Sequence, residues 1–263
     1  MSIREISVKY GYSRPALSKF LEEAGIKTTK GNHYRKYFHN VNFFEKIDTE
    51  EKAYWLGFMF ADGYIIDNSN RYGEDGFGLS LAEDSLDSLL DFKKSIEASN
   101  PINKDLSGNK KNPNKQIMYK IEMRSQKTVD DLIDKGCFKN KTAILEPPTG
   151  VPDNLLHHFL RGFYDGDGSI TKSNKKNSSF IFYGVNFTST KDIIEWISSF
   201  FSFGSIVKEN RREFIWYFKT NSNQQSIKLL DFLYKDATIY MKRKHDRYLE
   251  LLSKYGESQG RNG

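Results

Sequence analysis

A nine-residue stretch occurs twice in this chain, and that repeat constrains the fold more than any other feature. "WLGFMFADG" (Trp55–Gly63) and "LRGFYDGDG" (Leu160–Gly168) align without gaps, pairing Gly57 with Gly162, Phe58 with Phe163, Asp62 with Asp167 and Gly63 with Gly168, each 105 positions apart. The segments after the two copies come in the same order. After Gly63 come the β-type runs "GYII" and "FGLSLAE", the helix-patterned "DSLDSLLDFKKSIEA", the alternating "QIMYKIEMRS" and the helical "KTVDDLIDKG". After Gly168 come "GSIT", "SFIFYGVNFTS", the helical "KDIIEWISSFFS", the alternating "SIVKE" and "EFIWYFKTNS", and the helical "QQSIKLLDFLYK". Each half therefore reads α-β-β-α-β-β-α, an α+β fold built twice. "LEPPTGVPDN" is the expected link, because Pro147, Pro148 and Pro152 forbid a continuous helix.

Start signals precede both repeated helices. Asp48 with Glu51 predicts a capping box for the first, and Asp153 is placed to cap the second. Gly63 and Gly168 are the expected left-handed stops. Inside the helices Gly57 and Ala61, then Gly162 and Gly166, recur four apart, so each pair lies on one face and lets another backbone approach. Bulky Phe58, Met59, Phe163 and Tyr164 are left for the surrounding cores. Two such faces are expected to meet each other at a pseudo-twofold seam. Asp62 and Asp167 then emerge side by side from helix C-termini, where partial negative charge and mutual repulsion both disfavour them. A divalent cation reverses that balance, and carboxylates with the helix-end carbonyls of Ala61 and Gly166 suit Mg²⁺, with Mn²⁺ able to substitute, better than zinc.

"AYWLGFMFADGYI" and "LRGFYDGDGSI" resemble the paired signature helices of LAGLIDADG homing endonucleases in their single-chain, two-repeat form, over about residues 45–255. The first copy departs at the sixth position, where Phe60 stands in place of the acid that Asp165 supplies. The resemblance implies a saddle of antiparallel sheets around the two central helices. It implies that Asp62 and Asp167, at the eighth position, are the metal-binding acids of a site-specific double-strand DNA endonuclease. They would hold divalent ions against two scissile phosphates and orient a water for in-line attack. It also implies one basic side chain per half near the metals, for which Lys141 and Lys244 are chosen by position.

The strands mix basic and amide side chains with aromatics on alternate positions, so one face can pack on helices while the other fits a major groove. Lys120 and Arg124 in the first half, and Arg211, Arg212 and Lys219 in the second, are the candidates on the polar face. Two unequal halves imply an asymmetric, loosely palindromic target. Net charge is +6, and residues 1–46 alone carry nine Lys/Arg against four acids. That basic arm suggests a polyanionic partner. Within it, Ser2 with Glu5 predicts a capping box, Gly11 a turn, Ser13 a cap on "RPALSKFLEEAG" and Gly25 a stop. This pattern resembles a helix-turn-helix that would offer Ser13, Arg14, Ser18 and Lys19 to a groove.

The expected organisation is thus a helix-turn-helix-like element at 1–27, a basic linker at 28–44, repeats at 45–146 and 147–255, and a polar tail at 256–263. Apolar runs are too short to cross a bilayer, and the single cysteine, Cys137, excludes an internal disulfide. The chain is expected to be intracellular, in a bacterium, a phage-infected cell or an organelle, and to bind double-stranded DNA as a monomer. A transcriptional regulator on the same scaffold and an intron RNA-splicing maturase are the alternatives. Retention of both aspartates weighs against a pure DNA binder.

Overall fold

The computed structural model describes residues 3–26, 37–67, 73–105, 116–139, 144–174 and 179–256, in two compact units, 1–37 and 38–263. The small unit holds α1 (Ile3–Tyr10) and α2 (Arg14–Glu23). Ser13 caps α2 by accepting from the Ala16 amide at 3.4 Å, and Gly11 and Gly25 take positive φ at the turn and the stop. No residue of α2 is buried. The Ser2–Glu5 box lies outside the described residues and side chains.

In the larger unit the first repeat runs α3 (Glu50–Ala61), β1 (Gly63–Ile66), β2 (Gly76–Ala82), α4 (Leu86–Ser95), β3 (Asn103–Asp105), β4 (Met118–Arg124) and α5 (Gln126–Asp134). The second runs α6 (Leu156–Asp167), β5 (Gly168–Asn174), β6 (Ile181–Ser189), α7 (Lys191–Ser198), β7 (Ser205–Lys208), β8 (Trp216–Lys219) and α8 (Asn223–Tyr234). The doubled α-β-β-α-β-β-α order is therefore present, with one addition: α9 (Lys242–Tyr255) extends the second half. Both sheets are four-stranded and antiparallel with the same order, β1-β2-β4-β3 and β5-β6-β8-β7. The inward positions Phe77, Leu79, Ile121 and Met123 of one sheet, and Val185, Phe187 and Phe218 of the other, join a single core with the helices. Their alternate neighbours form an outward face on each sheet.

Three local expectations fail for identifiable reasons. Thr49, not Asp48, caps α3 by accepting from the Lys52 amide at 3.3 Å. Asp48 instead bonds Lys52 Nζ at 2.8 Å, while Glu51 accepts from Ser95. Asp153 opens a 3₁₀ turn (Asp153–Leu155), and α6 begins after it with no side-chain cap. Gly63 and Gly168 are not left-handed: Gly168 has φ −92°, and neither is among the positive-φ glycines. Glycine is needed there because the strand leaves over its own last helical turn. A Cβ on Gly63 would stand 2.6 Å from Met59 O, and one on Gly168 2.6 Å from Tyr164 O.

The compact body starts at Phe38, so the segment expected as linker through residue 44 is partly core. Phe43 and Phe44 are buried, Asn40 N donates to Ile96 O at 2.8 Å, and Thr128 Oγ1 donates to Val41 O at 3.1 Å.

Candidate active site at the helix seam

The seam is built by absence of side chains. Helices α3 and α6 touch backbone to backbone: a Cβ on Gly57 would stand 2.0 Å from Phe159 O, and one on Gly162 1.8 Å from Tyr54 O. One turn further, a Cβ on Gly166 would stand 2.3 Å from the Ala61 Cβ and 3.2 Å from Asp62 Oδ2. The carboxylate of Asp62, the C-cap of α3, thus lies against the residue preceding Asp167, the last residue of α6. Both acids sit where two helices end together and two sheets begin.

A buried ion cluster fixes the other end of the pair. Arg161, with no exposed surface, donates to Glu50 Oε1 at 2.6 Å and to Leu233 O and Ile239 O at 2.9 Å each. Glu50 also accepts from Thr238 N at 2.7 Å and Thr238 Oγ1 at 2.8 Å, so one carboxylate of the first half is held by the second. Burial, opposed by these bonds and by Arg161, leaves Glu50 below the usual carboxylate range. Arg161 Nη1 donates to His158 Nδ1 at 2.8 Å, which requires a neutral ring nitrogen. Burial and the guanidinium push His158 down to about 4.

Lys244 is not a surface lysine. It is 3% exposed, on the first turn of α9, and its ammonium donates to Tyr164 O at 2.5 Å, Asp165 O at 2.8 Å and Gly168 O at 2.6 Å. All three donors are spent on the C-terminal end of α6, where a cation opposes the helix dipole. Burial pushes its pKa down to about 8, against the fields of Asp165, Asp62 and Asp167. Asp165, the sixth-position acid, accepts from Tyr54 OH of α3 at 2.9 Å and from Met241 N at 2.7 Å, so it ties α6 to α3 and anchors the start of α9. Burial raises its pKa. Phe60, its counterpart, is also fully buried. The first half has no described equivalent of Lys244, since Lys141 lies outside the described residues. The Cys137 thiol also reaches the helix end there, with Sγ 3.5 Å from Met59 O.

Among the described residues no group of three or more His, Cys, Asp or Glu is arranged to hold a metal. Two carboxylates at helix ends nevertheless fit one class of ion. They are an all-oxygen set too small for a closed protein cage, which suits a hard cation completed by water and phosphate oxygens rather than zinc. The carbonyls of Tyr164, Asp165 and Gly168 are occupied by Lys244 and are not part of that set, whereas Ala61 and Gly166 precede the two acids.

On the sheets, Lys120, Arg124 and Lys219 occupy outward positions, opposite Ser80, Gly76 and Asn186 respectively. Arg211 and Arg212 do not: they are exposed in the β7–β8 connection, because β8 starts only at Trp216. Between Lys120 and Arg124 the same face carries Glu122, an acid the strand's basic pattern concealed. In the small unit Ser13, Arg14, Ser18 and Lys19 are all exposed, with Lys19 3.9 Å from Glu23. Among the described residues no helix is long and apolar enough to cross a membrane.

Residues 154–235 match the LAGLIDADG-like domain family. No curated protein matches the chain by sequence. Among solved structures it is similar to the I-LtrWI LAGLIDADG homing endonuclease bound to target DNA, at 14% identity over 84% of this chain and 92% of that one, with a TM-score of 0.55. The I-SmaMI LAGLIDADG homing endonuclease bound to cleaved DNA matches at 14% identity over 79% and 89%, with a TM-score of 0.53. I-SmaMI bound to uncleaved DNA in the presence of calcium ions matches at 14% over 77% and 91%, with a TM-score of 0.51. Residues 154–235 thus match a LAGLIDADG-like domain, and most of the chain takes the two-repeat fold seen in LAGLIDADG homing endonucleases.

Proposed function

We propose that the protein is a site-specific double-strand DNA endonuclease with divalent-metal dependence, Mg²⁺ being the expected ion. The observation that carries this reading is that the Asp62 carboxylate lies against Gly166, the residue before Asp167, at a seam with no room for a Cβ on Gly57, Gly162 or Gly166. Two acids at two negative helix ends are a poor arrangement for a folded protein and a good one for binding cations beside phosphates. In this reading Asp62 and Asp167 hold the metal, which supplies charge stabilisation of the phosphate and a nucleophilic water. The Lys244 ammonium is committed to three carbonyls at the end of α6. It neutralises the end of α6 and so fixes where Asp167 points. The outward sheet faces and the basic arm would contact DNA, and because one chain supplies both halves, a single copy completes the site. Such a protein works inside a cell, where its DNA is.

The test is cleavage of DNA bearing the native target in Mg²⁺, beside Asp167→Asn. The expected result is one double-strand cut by the wild type, with cutting lost and binding kept in the variant. Sequence-specific binding by the wild type with no cleavage at a verified site would instead favour a transcriptional regulator.

A further inference from the structure

The two sheets can be compared rung by rung, counting from the glycine after each motif acid. On the first sheet Gly63 pairs with Leu79 and that with Ile121, so the first outward rung is Tyr64, Gly78 and Glu122. On the second sheet Gly168 pairs with Phe187 and that with Phe218, and the first outward rung is Ser169, Asn186 and Lys219. At the same place beside the seam, one half therefore presents a carboxylate and the other an ammonium.

Each is held in place by its neighbours. Gly78 leaves the middle strand bare, so Tyr64 lies across it and donates to Glu122 Oε1 at 3.0 Å. Lys120 Nζ, two residues back on the same face, donates to that same oxygen at 3.0 Å. Oε2 takes no hydrogen bond among the described residues, and the Glu122 side chain is 39% exposed. On the other sheet Asn186 fills the middle strand and bonds Ser169 at 2.8 Å, while Lys219 Nζ rests 4.5 Å from the centre of the Tyr217 ring, also two residues back.

We infer that Glu122 and Lys219 are paired specificity determinants, reading cytosine in one half-site and guanine at the matching position of the other. The inference rests on the endonuclease reading. A carboxylate facing a polyanion weakens general affinity, so what it gains must come from a base donor. Cytosine offers the major groove its N4 amino group, whereas adenine sets an N7 acceptor beside its amino group, and guanine and thymine present acceptors. An acceptor-only side chain therefore selects cytosine. An ammonium, donor-only, selects the O6 and N7 acceptors of guanine. With each half-site read on its own symmetry-related strand, a palindrome carries the same base at both positions, and this rung forbids that.

The test is selection from a randomised duplex DNA pool in Ca²⁺, by wild type, Glu122→Lys, Lys219→Glu and Glu122→Gln, with the bound DNA sequenced. Wild type is expected to enrich one motif with cytosine in one half-site and guanine at the symmetry-related position of the other, each half read on its own strand, so that a single strand shows the same base at both positions. Glu122→Lys should exchange only the cytosine column for guanine, and Lys219→Glu should do the reverse in the other half. Each loses its original base preference by on the order of tenfold or more. Glu122→Gln, nearly isosteric, should admit adenine in the same column, which keeps the test valid if the charge reversal harms folding. A wild type that enriches no motif would defeat the endonuclease reading. A wild-type motif whose columns do not respond to these three variants would overturn this inference and leave that reading standing.

Discussion

Gly162→Ala should destabilise the protein even though helix propensity predicts the opposite. In an exposed helix the exchange gains about 1 kcal/mol. Here the new methyl would stand 1.8 Å from Tyr54 O, 2.7 Å from Tyr54 C and 3.0 Å from Phe58 N, all backbone atoms that cannot rotate away. A carbon against a carbonyl oxygen needs about 3.3 Å, so α3 and α6 must part by roughly 1.5 Å at that turn. A gap of that size forfeits much of the dispersion attraction along the seam. Overpacking costs about 1–3 kcal/mol in ordinary cores, and a rigid neighbour puts this case at the upper end. Clash therefore outweighs propensity by about 2 kcal/mol.

For a domain of this size that corresponds to a fall in Tm of roughly 4–8 °C. Thermal unfolding of the full chain measures it, with Gly184→Ala as the comparison, since the nearest atom there belongs to the Phe182 ring at 2.9 Å and can move. Cleavage should fall more steeply than stability, because parting the helices also moves Asp62 away from Asp167. A Tm for Gly162→Ala equal to or above the wild type would show that the backbones do not touch, and the geometry of the site would go with it.

Lys244→Met should cost about 3 kcal/mol or more, since it strips the cation from three buried carbonyls and from the field of Asp165. Combining it with Asp165→Asn should cost less than the sum of the two single variants in a double-mutant cycle by denaturant titration. Stability should fall as pH drops from 6.5 toward about 4, because unfolded His158 takes up a proton that the folded ring refuses. Glu50 adds to that loss below pH 4.5, and His158→Asn, which keeps an acceptor but does not titrate, should flatten the upper part of the Tm-against-pH curve. Deleting residues 1–37 should leave the body folded and reduce the salt dependence of DNA binding, by about 0.9 in log–log slope for each phosphate the arm had neutralised. Deleting 1–44 removes Phe43 and Phe44 from the core and should also lower Tm.

The architecture was legible because it is written twice. Periodicity alone gave the order of helices and strands, and the match between halves turned individually weak signals into one pattern. Short-range chemistry was less legible where neighbours compete for the same role. Asp48 looks like a cap, but Lys52 claims its carboxylate and Thr49 takes the amide. Gly63 and Gly168 look like helix stops, but the requirement is clearance from the preceding turn, which has no signature distinct from positive φ. Burial of Lys244 was invisible, since three carbonyls from one distant helix end compensate it and no sequence pattern encodes that. Glu122 was hidden by the bases on either side of it.

The two halves have diverged to different extents at different depths. Their symmetry is strict where backbones meet, at Gly57 and Gly162, because no side chain can substitute for close approach. One layer out it is already broken: Lys244 and Asp165 brace the end of α6, while a thiol and Phe60 occupy the corresponding region of α3. The end of α6 is thus held by an ammonium and three hydrogen bonds, and the thiol is one described contact at the end of α3. If that brace positions Asp167, its loss falls first on the acid of the same half, and the two strands of the target then respond unequally. Lys244→Met should then slow one strand selectively, so nicked circles accumulate on supercoiled DNA before linear product forms. Equal slowing of both strands would mean that Lys244 serves the fold as a whole and not the half in which it lies.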